Sequence, residues 1–230
     1  MLIITADDYG YRPSYDRGIV EAAGAGAVDA VSAMVERDGC DPAPLLGIGV
    51  QVGLHLELPG WRGATGSAGR AGDADRERAV TALREQLARF EELFRAPPSH
   101  LDGHHHCHAA PGLAAAIARV AAARRLRVRS VDAEHRRLLR CLGVETPDLL
   151  VGRLSGAEPV LPAELRPLIE GRGEAPVAVT EWMVHPGHAD PHPGSSYDRE
   201  REEDLALVRS LATDELVRAA RGARRRPGDG

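Results

Sequence analysis

The sequence lacks lysine and asparagine altogether, so all 29 of its basic residues are arginine. Without lysine, the chain has no Schiff-base lysine, no Walker A lysine and no kinase-type lysine. Without asparagine, a Cys-His-Asn triad and N-glycosylation are excluded as well. Any catalysis must therefore use His, Asp, Glu, Arg, Ser, Tyr or a bound metal ion.

Cysteine is scarce, and the three thiols Cys40, Cys107 and Cys141 form an odd, widely spaced set. Such a set indicates reduced thiols rather than a disulfide framework. The first residues lack the basic start and long apolar stretch of a signal peptide. No apolar run approaches the roughly 20 residues that span a bilayer. We therefore expect a cytoplasmic protein with no membrane partner.

Positive charge is not in excess, because the formal net charge is −5 and the sequence pI is about 6.1. No overall positive field attracts a phosphate backbone, so we expect no nucleic-acid partner. The 230 residues, 43% of them hydrophobic and 27% charged, are typical of a globular protein with a large core. A homodimer is left open, since nothing in the sequence demonstrates one.

Short apolar segments alternate with longer segments of helical period. The predicted strands cover residues 2–5, 31–35, 49–58, 100–103, 127–130 and 177–184. The predicted helices cover residues 14–26, 42–46, 76–94, 111–124 and 198–221. About six strands separated by helices predict an α/β fold, either a (β/α) barrel or an open doubly wound sheet. We expect one domain over residues 1–222 and a frayed tail over 223–230.

Residues 60–75 contain five glycines and no apolar pattern. A segment of this length indicates either a loop that covers the substrate or a surface insertion. In either α/β architecture, catalytic residues gather at the C-terminal ends of the strands. The Asp, His and Arg residues near the ends of the predicted strands are therefore the candidate site residues.

Two adjacent carboxylates, Asp7 and Asp8, follow the first predicted strand. One could bind a metal ion while the other stays free as a base, or the pair could cap a turn. His55 lies inside an otherwise alternating apolar strand. A histidine in such a place is more often a hydrogen-bonded core residue than a metal ligand.

Residues 100–108 hold five of the ten histidines at a strand-to-helix junction. His104 and His108 are four residues apart, a spacing that puts two imidazoles on one side of a helical turn. Asp102 could orient a neighbouring imidazole by a hydrogen bond, and Cys107 is expected to pack in the core. Imidazoles with one carboxylate indicate a catalytic metal site, with zinc, magnesium and manganese all left open.

His185 ends the last predicted strand, before Pro186 and Gly187, and is a candidate general acid, although a loop hydrogen bond would also explain it. Arg129, at another strand end, could pair with Asp7 and keep it ionised, or lie on the surface. Trp61 and Trp182 are candidate platforms for a sugar ring, and Trp182 is the more typical core residue.

Several segments resemble, in order, the signatures of the YdjC-like family of carbohydrate deacetylases. They are TADDYG at 5–10, GAV at 26–28 through MV at 34–35, GLHLEL at 53–58, HLDGHHHCH at 100–108 and EWMVHPG at 181–187. Tyr197, followed by Arg201 and Asp204, resembles the tyrosine-led C-terminal helix of that family. Glu36 stands where family members often have asparagine, which leaves the identity of the sugar open.

The resemblance implies that Asp8, His55 and His104 bind one divalent ion, Mg²⁺ or Zn²⁺, that Asp7 is the base and that His185 is the acid. The residues themselves, rather than the resemblance, suggest His108 and Arg129 as additional metal or substrate contacts and Trp61 as a substrate contact. The implied fold is a distorted TIM-like (β/α) barrel. The implied reaction removes the acetyl group of an N-acetylated amino sugar or short chitooligosaccharide, which releases acetate and the free amine.

Two other functions remain open from the residues alone. One is a different metal-dependent hydrolase on the same barrel, cleaving a phosphoester or a cyclic amide. The other is a non-catalytic protein that binds a metal or a sugar, and the second carboxylate of the Asp7-Asp8 pair argues against it. Fold analogy cannot separate these functions.

Overall fold

Strands and helices alternate along the part of the chain that a computed structural model describes, namely residues 1–62, 71–152, 165, 179–192 and 198–222. The strands are β1 Leu2–Tyr9, β2 Ala30–Ala33, β3 Gln51–Leu56, β4 His100–Gly103, β5 Arg127–Val128, β6 Leu149–Gly152 and β7 Thr180–Val184. The α-helices are α1 Pro13–Gly24, α2 Ala43–Leu46, α3 Asp73–Phe94, α4 Ala114–Ala123, α5 Ala133–Cys141, α6 Asp198–Leu211 and α7 Glu215–Arg221. A 3₁₀ segment, His104–Ala109, follows β4.

The strands form one parallel sheet in the order β5-β4-β3-β2-β1-β7-β6. Because β7 pairs back with β1, this is the sequential order of a barrel that is open between β5 and β6. The Val128 N–H donates to the Glu145 carbonyl at 2.9 Å, which links β5 to the segment before β6. The predicted distorted (β/α) barrel with outer helices is confirmed, and the open doubly wound alternative is wrong.

The C-terminal helical segment differs from the prediction of one helix over residues 198–221. The chain breaks between α6 and α7, where the Asp214 carboxylate accepts hydrogen bonds from the N–H groups of Leu216 and Val217 at 2.9 and 3.1 Å. An aspartate in this N-cap position satisfies the first N–H groups of a new helix. Helical periodicity does not reveal that a new helix begins here, because apolar residues continue at helical spacing from α6 into α7.

Strand β6 and helix α5 were not predicted, because they have only four and nine residues, too few for a period to stand out from the neighbouring loops. Half of the expected loop at 60–75, residues 63–70, and the expected frayed tail, residues 223–230, lie outside the described residues, and the last part of that loop is helical because α3 begins at Asp73. Among the described helices, none combines the length and the apolar character that crossing a lipid bilayer requires.

The helical shell is packed as its periodicity predicts. On α3, Leu83, Leu87, Phe90 and Phe94 are buried, and the two phenyl rings stack with their centroids 4.5 Å apart. The interior of the barrel is different, because it buries polar and charged side chains. These are Thr5, Asp7, Ser32, His100, Asp102, Arg129 and Glu181.

Candidate active site

The two adjacent carboxylates lie at the C-terminal end of β1, and both are buried. Pairing with β2 is irregular between Ala6 and Tyr9, and Asp8 has a φ of 73°. A left-handed φ is unfavourable for a residue with a side chain, and such strain is concentrated at functional sites. In a regular strand, Asp7 and Asp8 would point to opposite faces. At this irregularity the side chains of both residues contact groups of the same site, Arg129 for Asp7 and His104 for Asp8.

Asp8, His55 and His104 come together in one cluster. The Asp8 Oδ1 lies 3.0 Å from His104 Nδ1 and 3.3 Å from His55 Nε2. One potential ligand atom from each of the three residues lies within 4.8 Å of the others. Two imidazoles and one carboxylate suit a divalent ion and leave coordination positions for water and substrate. The residues present therefore fit a catalytic metal ion.

The second ring nitrogen of His55 is held by Asp102. The His55 Nδ1–H donates to Asp102 Oδ1 at 2.7 Å, and both side chains are buried. Burial acts to lower the pKa of His55, but the Asp102 and Asp8 carboxylates raise it well above its usual value. A hydrogen bond of this kind fixes the orientation of a ligand imidazole and directs Nε2 toward the metal position. Asp102 thus orients His55, as the sequence suggested.

Arg129, which is 2% exposed, occupies the middle of the barrel interior. Its Nη1 and Nη2 donate to the two oxygens of Asp7 at 2.6 and 2.9 Å, and its Nη2 also lies 2.7 Å from Asp102 Oδ2. Its Nε donates to Glu181 Oε1 at 2.9 Å. The pairing with Asp7 that the sequence left open is therefore present, and the alternative of a surface arginine is wrong.

A second group with metal-like spacing contains Asp7, His55 and Asp102. The guanidinium of Arg129 already binds both carboxylates of this group, so it supplies the positive charge there. A metal ion at this position would have to displace a buried cation that is paired with three carboxylates. The Asp8 cluster is consequently the better metal site.

His185 follows β7, and its backbone N–H donates to Asp204 Oδ2 on α6 at 2.8 Å. Burial lowers the pKa of the imidazole, while the carboxylates of Asp8 and Asp7 act to raise it. Because β7 is parallel to β1 and Val184 lies opposite Ala6, His185 lies at the same end of the barrel as the Asp8 cluster.

Arg201 on α6 is a site residue for which sequence reasoning assigned no role. It is fully buried, donates from Nη2 to Asp8 Oδ2 at 2.6 Å, and places its guanidinium 3.8 Å from the centroid of the Tyr15 ring. Burial acts to raise the pKa of Asp8, but His104, His55 and Arg201 hold it well below its usual value. Arg201 binds one oxygen of Asp8, while the other oxygen faces the two histidines.

A signal for Arg201 was present in the sequence. The buried residues of α6 recur at helical spacing, and they are Arg201, Asp204, Leu205, Val208 and Leu211. Two charged residues therefore continue the apolar stripe toward the start of the helix. Charges on the buried face of an amphipathic helix require a partner in the core, and they are candidates for site residues.

His108 does not join the cluster. Its Nε2–H donates to the backbone carbonyl of Arg129 at 3.0 Å, and its ring lies 5.4 Å from that of His135. The prediction that His104 and His108 share one side of a helical turn is wrong. The intervening His105 and His106 have φ values of 51° and 58°, which interrupt the helix.

The aromatic and thiol side chains are placed as follows. Trp61 packs half-buried against the core, and the Tyr11 ring lies near His104, with the two ring centroids 5.6 Å apart. Trp182 is buried in the core. Cys107 is also buried, its thiol donates to the Leu56 carbonyl at 3.1 Å, and burial raises its pKa to about 12. Cys107 therefore packs rather than reacts.

The arrangement at the C-terminal ends of β1, β3, β4 and β7 can be compared with known proteins. The profile of the family described as YdjC-like protein matches residues 1–219. The chain belongs to the YdjC-like family. This confirms the resemblance that the ordered motifs indicated.

Two relatives illustrate the range of similarity within the YdjC-like family. The carbohydrate deacetylase of Homo sapiens is 38% identical over 136 residues, which cover 49% of this chain and 42% of the human protein. The carbohydrate deacetylase of Geobacillus stearothermophilus is 30% identical over 227 residues, which cover 90% of this chain and 88% of that protein. The match thus spans less than half of the human relative but most of the bacterial one.

The fold is shared with a crystal structure from Enterococcus faecalis V583, of a protein assigned to cellobiose-phosphate cleavage. The TM-score is 0.72 and the sequence identity 22%, and the match covers 95% of this chain and 94% of the other. At this identity the likeness concerns the fold, so the activity must be argued from the site.

Proposed function

We propose that this YdjC-like protein is a metal-dependent carbohydrate N-deacetylase. Its substrate is an N-acetylated amino sugar or a short chitooligosaccharide, and its products are acetate and the free amine. The observation that carries the proposal is the convergence of Asp8, His55 and His104 beside a second carboxylate, Asp7, that is not part of that set. The names of the relatives support the substrate class.

Asp8, His55 and His104 hold one divalent ion, Mg²⁺ or Zn²⁺, in this proposal. When bound, the ion polarises the acetamide carbonyl and lowers the pKa of water. The chain itself presents the ligands in fixed orientations, because Asp102 binds the second nitrogen of His55 and Arg201 binds the second oxygen of Asp8. These contacts reduce the number of arrangements that the site can adopt without the ion.

Asp7 is the general base in this reaction. It removes a proton from water as the water oxygen forms a bond to the acetyl carbon. Both oxygens of Asp7 are bonded to the Arg129 guanidinium, which holds the carboxylate in one orientation. Carboxylate oxygens have further lone pairs, so these hydrogen bonds leave Asp7 able to accept a proton.

His185 is the general acid. As the bond between the acetyl carbon and nitrogen breaks, the imidazolium gives its proton to the nitrogen, which then leaves as an amine. Without this proton the departing amide anion would be a poor leaving group. Burial lowers the pKa of His185, and the carboxylates of Asp8 and Asp7 oppose that shift, so the protonated form that donates the proton becomes more populated as the pH falls.

The test is the release of acetate from a panel of N-acetylated mono- and disaccharides that includes N,N′-diacetylchitobiose. The protein is assayed with Zn²⁺ or Mg²⁺, and again after removal of the metal with a chelator. We expect acetate release that the chelator abolishes and added metal restores. Metal-loaded protein that releases no acetate from any sugar, but cleaves a phosphoester or a cyclic amide, would overturn the proposal.

A further inference from the structure

The barrel interior contains a line of hydrogen bonds that the proposed reaction does not use directly. Ser99 Oγ lies 2.9 Å from His100 Nδ1, and His100 Nε2 lies 3.0 Å from Ser32 Oγ. Ser32 Oγ then donates to Asp102 Oδ2 at 2.8 Å, and the other oxygen of Asp102 accepts from His55. A continuous path therefore runs from Ser99 to a proposed metal ligand.

The direction of each hydrogen bond in this path follows from the donors available. An ionised Asp102 can only accept, so the single O–H of Ser32 is used on that carboxylate. Ser32 must then accept from His100 Nε2–H. Burial lowers the pKa of His100, which keeps its imidazole neutral, so Nδ1 carries no proton and accepts from Ser99 O–H. Each hydrogen bond of the path is therefore donated in the same direction, from Ser99 through His100 and Ser32 to Asp102.

The backbone of β3 leaves room for the His100 ring. A Cβ atom added to Gly53 would lie 2.3 Å from His100 Cε1 and 2.4 Å from His100 Nδ1. Such distances are not tolerated, so any other residue at this position would displace the imidazole from its place beside Ser32. Glycine inside a strand often marks a close approach of this kind.

Asp102 is subject to competing attractions. Its Oδ2 lies 2.7 Å from Arg129 Nη2, while its Oδ1 accepts from His55 Nδ1. Rotation of the carboxylate toward the guanidinium would strengthen the first contact and weaken the second. The Ser32 hydroxyl adds a second donor at Oδ2 and so resists that rotation.

We propose that Ser32 and His100 are positioning residues that act on His55 through Asp102. They hold the carboxylate in the rotation at which Oδ1 accepts from His55 Nδ1, and this directs His55 Nε2 toward Asp8 and the metal ion. The proposal rests on the metal site of the proposed function. It adds two residues, neither of which touches the ion or the substrate.

The first test compares the Zn²⁺ affinity of the wild-type protein with that of Ser32→Ala, by competition with a chromophoric chelator. Removal of a group bonded directly to a metal ligand typically weakens metal binding about 10–100-fold; Ser32 acts one hydrogen bond further away, through Asp102, so we expect a loss of about 10-fold. Gly53→Ala, which displaces His100 by another route, should weaken binding in the same direction. Affinity within twofold of wild type in both variants would overturn the proposal.

Ser130→Ala is the matched control. Ser130 is also buried, and its hydroxyl donates to the Pro147 carbonyl at 3.0 Å, so the variant loses one buried hydroxyl hydrogen bond of similar length. Ser32→Ala also loses the hydrogen bond from His100, so we expect it to be the more destabilising of the two variants in thermal unfolding, and both affinities are measured where the variants are folded. Zn²⁺ affinity should fall only in Ser32→Ala. An equal fall in both variants would show a general effect of destabilisation and would contradict the positioning role.

The second test does not require metal. Nitrogen-15 NMR of the histidine rings in the metal-free protein should show His100 as the neutral Nε2–H form and His55 with a strongly hydrogen-bonded Nδ1–H. The His55 signal should shift in Ser32→Ala and stay in place in Ser130→Ala. A His100 ring with its proton on Nδ1 would overturn the path. If wild-type protein binds no divalent ion, the proposed function fails, and the NMR result still decides the path.

Discussion

Helix α3 turns Leu83 and Leu87 into the core, whereas Asp7 on β1, Asp102 on β4 and Arg129 just after β5 point into the barrel interior. All five side chains are almost fully buried. In the shell, removal of apolar surface from water stabilises the fold, and similar side chains can replace one another. In the interior, each charge needs its own partner, because an unpaired buried charge is very unfavourable. Apolar packing thus shapes the protein, and paired charges set the geometry of its site.

The largest expected effect comes from Asp7→Asn, which keeps the shape of the interior and removes the proposed base. General-base catalysis contributes about 10²–10⁴-fold to a rate, so kcat should fall by that factor. Metal affinity should change only a few-fold, because Asp7 is not in the Asp8 cluster. Steady-state acetate release and a metal titration of the same preparation provide the two measurements. Near wild-type kcat would remove Asp7 from the mechanism.

Arg129→Met should be the most destabilising change in the interior. It leaves Asp7, Asp102 and Glu181 buried without their cation, and loss of one partner of a buried ion pair costs about 3–5 kcal/mol. Urea unfolding measures the free energy of unfolding. The control is Arg89→Met on the exposed face of α3, where the ion pair with Glu92 is solvent-accessible. Exposed pairs contribute about 0–1 kcal/mol, so a similar loss in both variants would contradict the comparison.

Leu87→Ala tests the shell alone. The residue is fully buried, and truncation of a core leucine costs about 2–5 kcal/mol of unfolding free energy. Under conditions in which the variant is folded, kcat and metal affinity should equal those of the wild type. Loss of metal binding in folded Leu87→Ala would show that shell packing also positions the site, and the two regions would then not be separable.

The smallest expected effect is a pH dependence of metal binding. Asp102 and Asp8 raise the pKa of His55 against the effect of burial, so in the metal-free protein both ring nitrogens of this imidazole carry a proton at neutral pH. Metal binding must displace that proton. Affinity should therefore rise with pH until the pKa of His55 is passed. Calorimetric titration in two buffers of different ionisation enthalpy should detect about one released proton per bound ion at pH 7. Zero release would contradict the proton on His55.

Much of the site could be predicted from sequence, but for two different reasons. Asp7 and Asp8 stand at the end of a strand, which is where α/β enzymes gather catalytic groups. The roles of His55, His104 and His185 came from the resemblance of ordered motifs, since a single strand histidine has no distinctive pattern. Their placement together around the barrel end agrees with both lines of reasoning.

Arg201 and Ser32 show why the contacts within the site could not be predicted, even though helical spacing marks Arg201 as a buried charge. Arg201 contacts Asp8 across 193 residues of sequence, and Ser32 contacts Asp102 across 70. Periodicity reports on the few residues of one helix or strand, so it has no access to such pairs. The positive φ of Asp8 is equally invisible, because aspartate adopts both signs of φ and the local sequence does not decide between them.

The alternation of strands and helices, the apolar stripe of α3 and the absence of lysine chemistry were determined by the sequence itself, since each follows from residue type and local spacing. The partner of each buried charge was decided only by the tertiary structure. The pairing of β7 with β1 brings Glu181 beside the strand that carries Asp7. The curvature of the sheet then places Arg129 where it bonds to both Glu181 and Asp7. In a low-dielectric interior the energy of a charge depends on the position of its neighbours, and folding sets those positions.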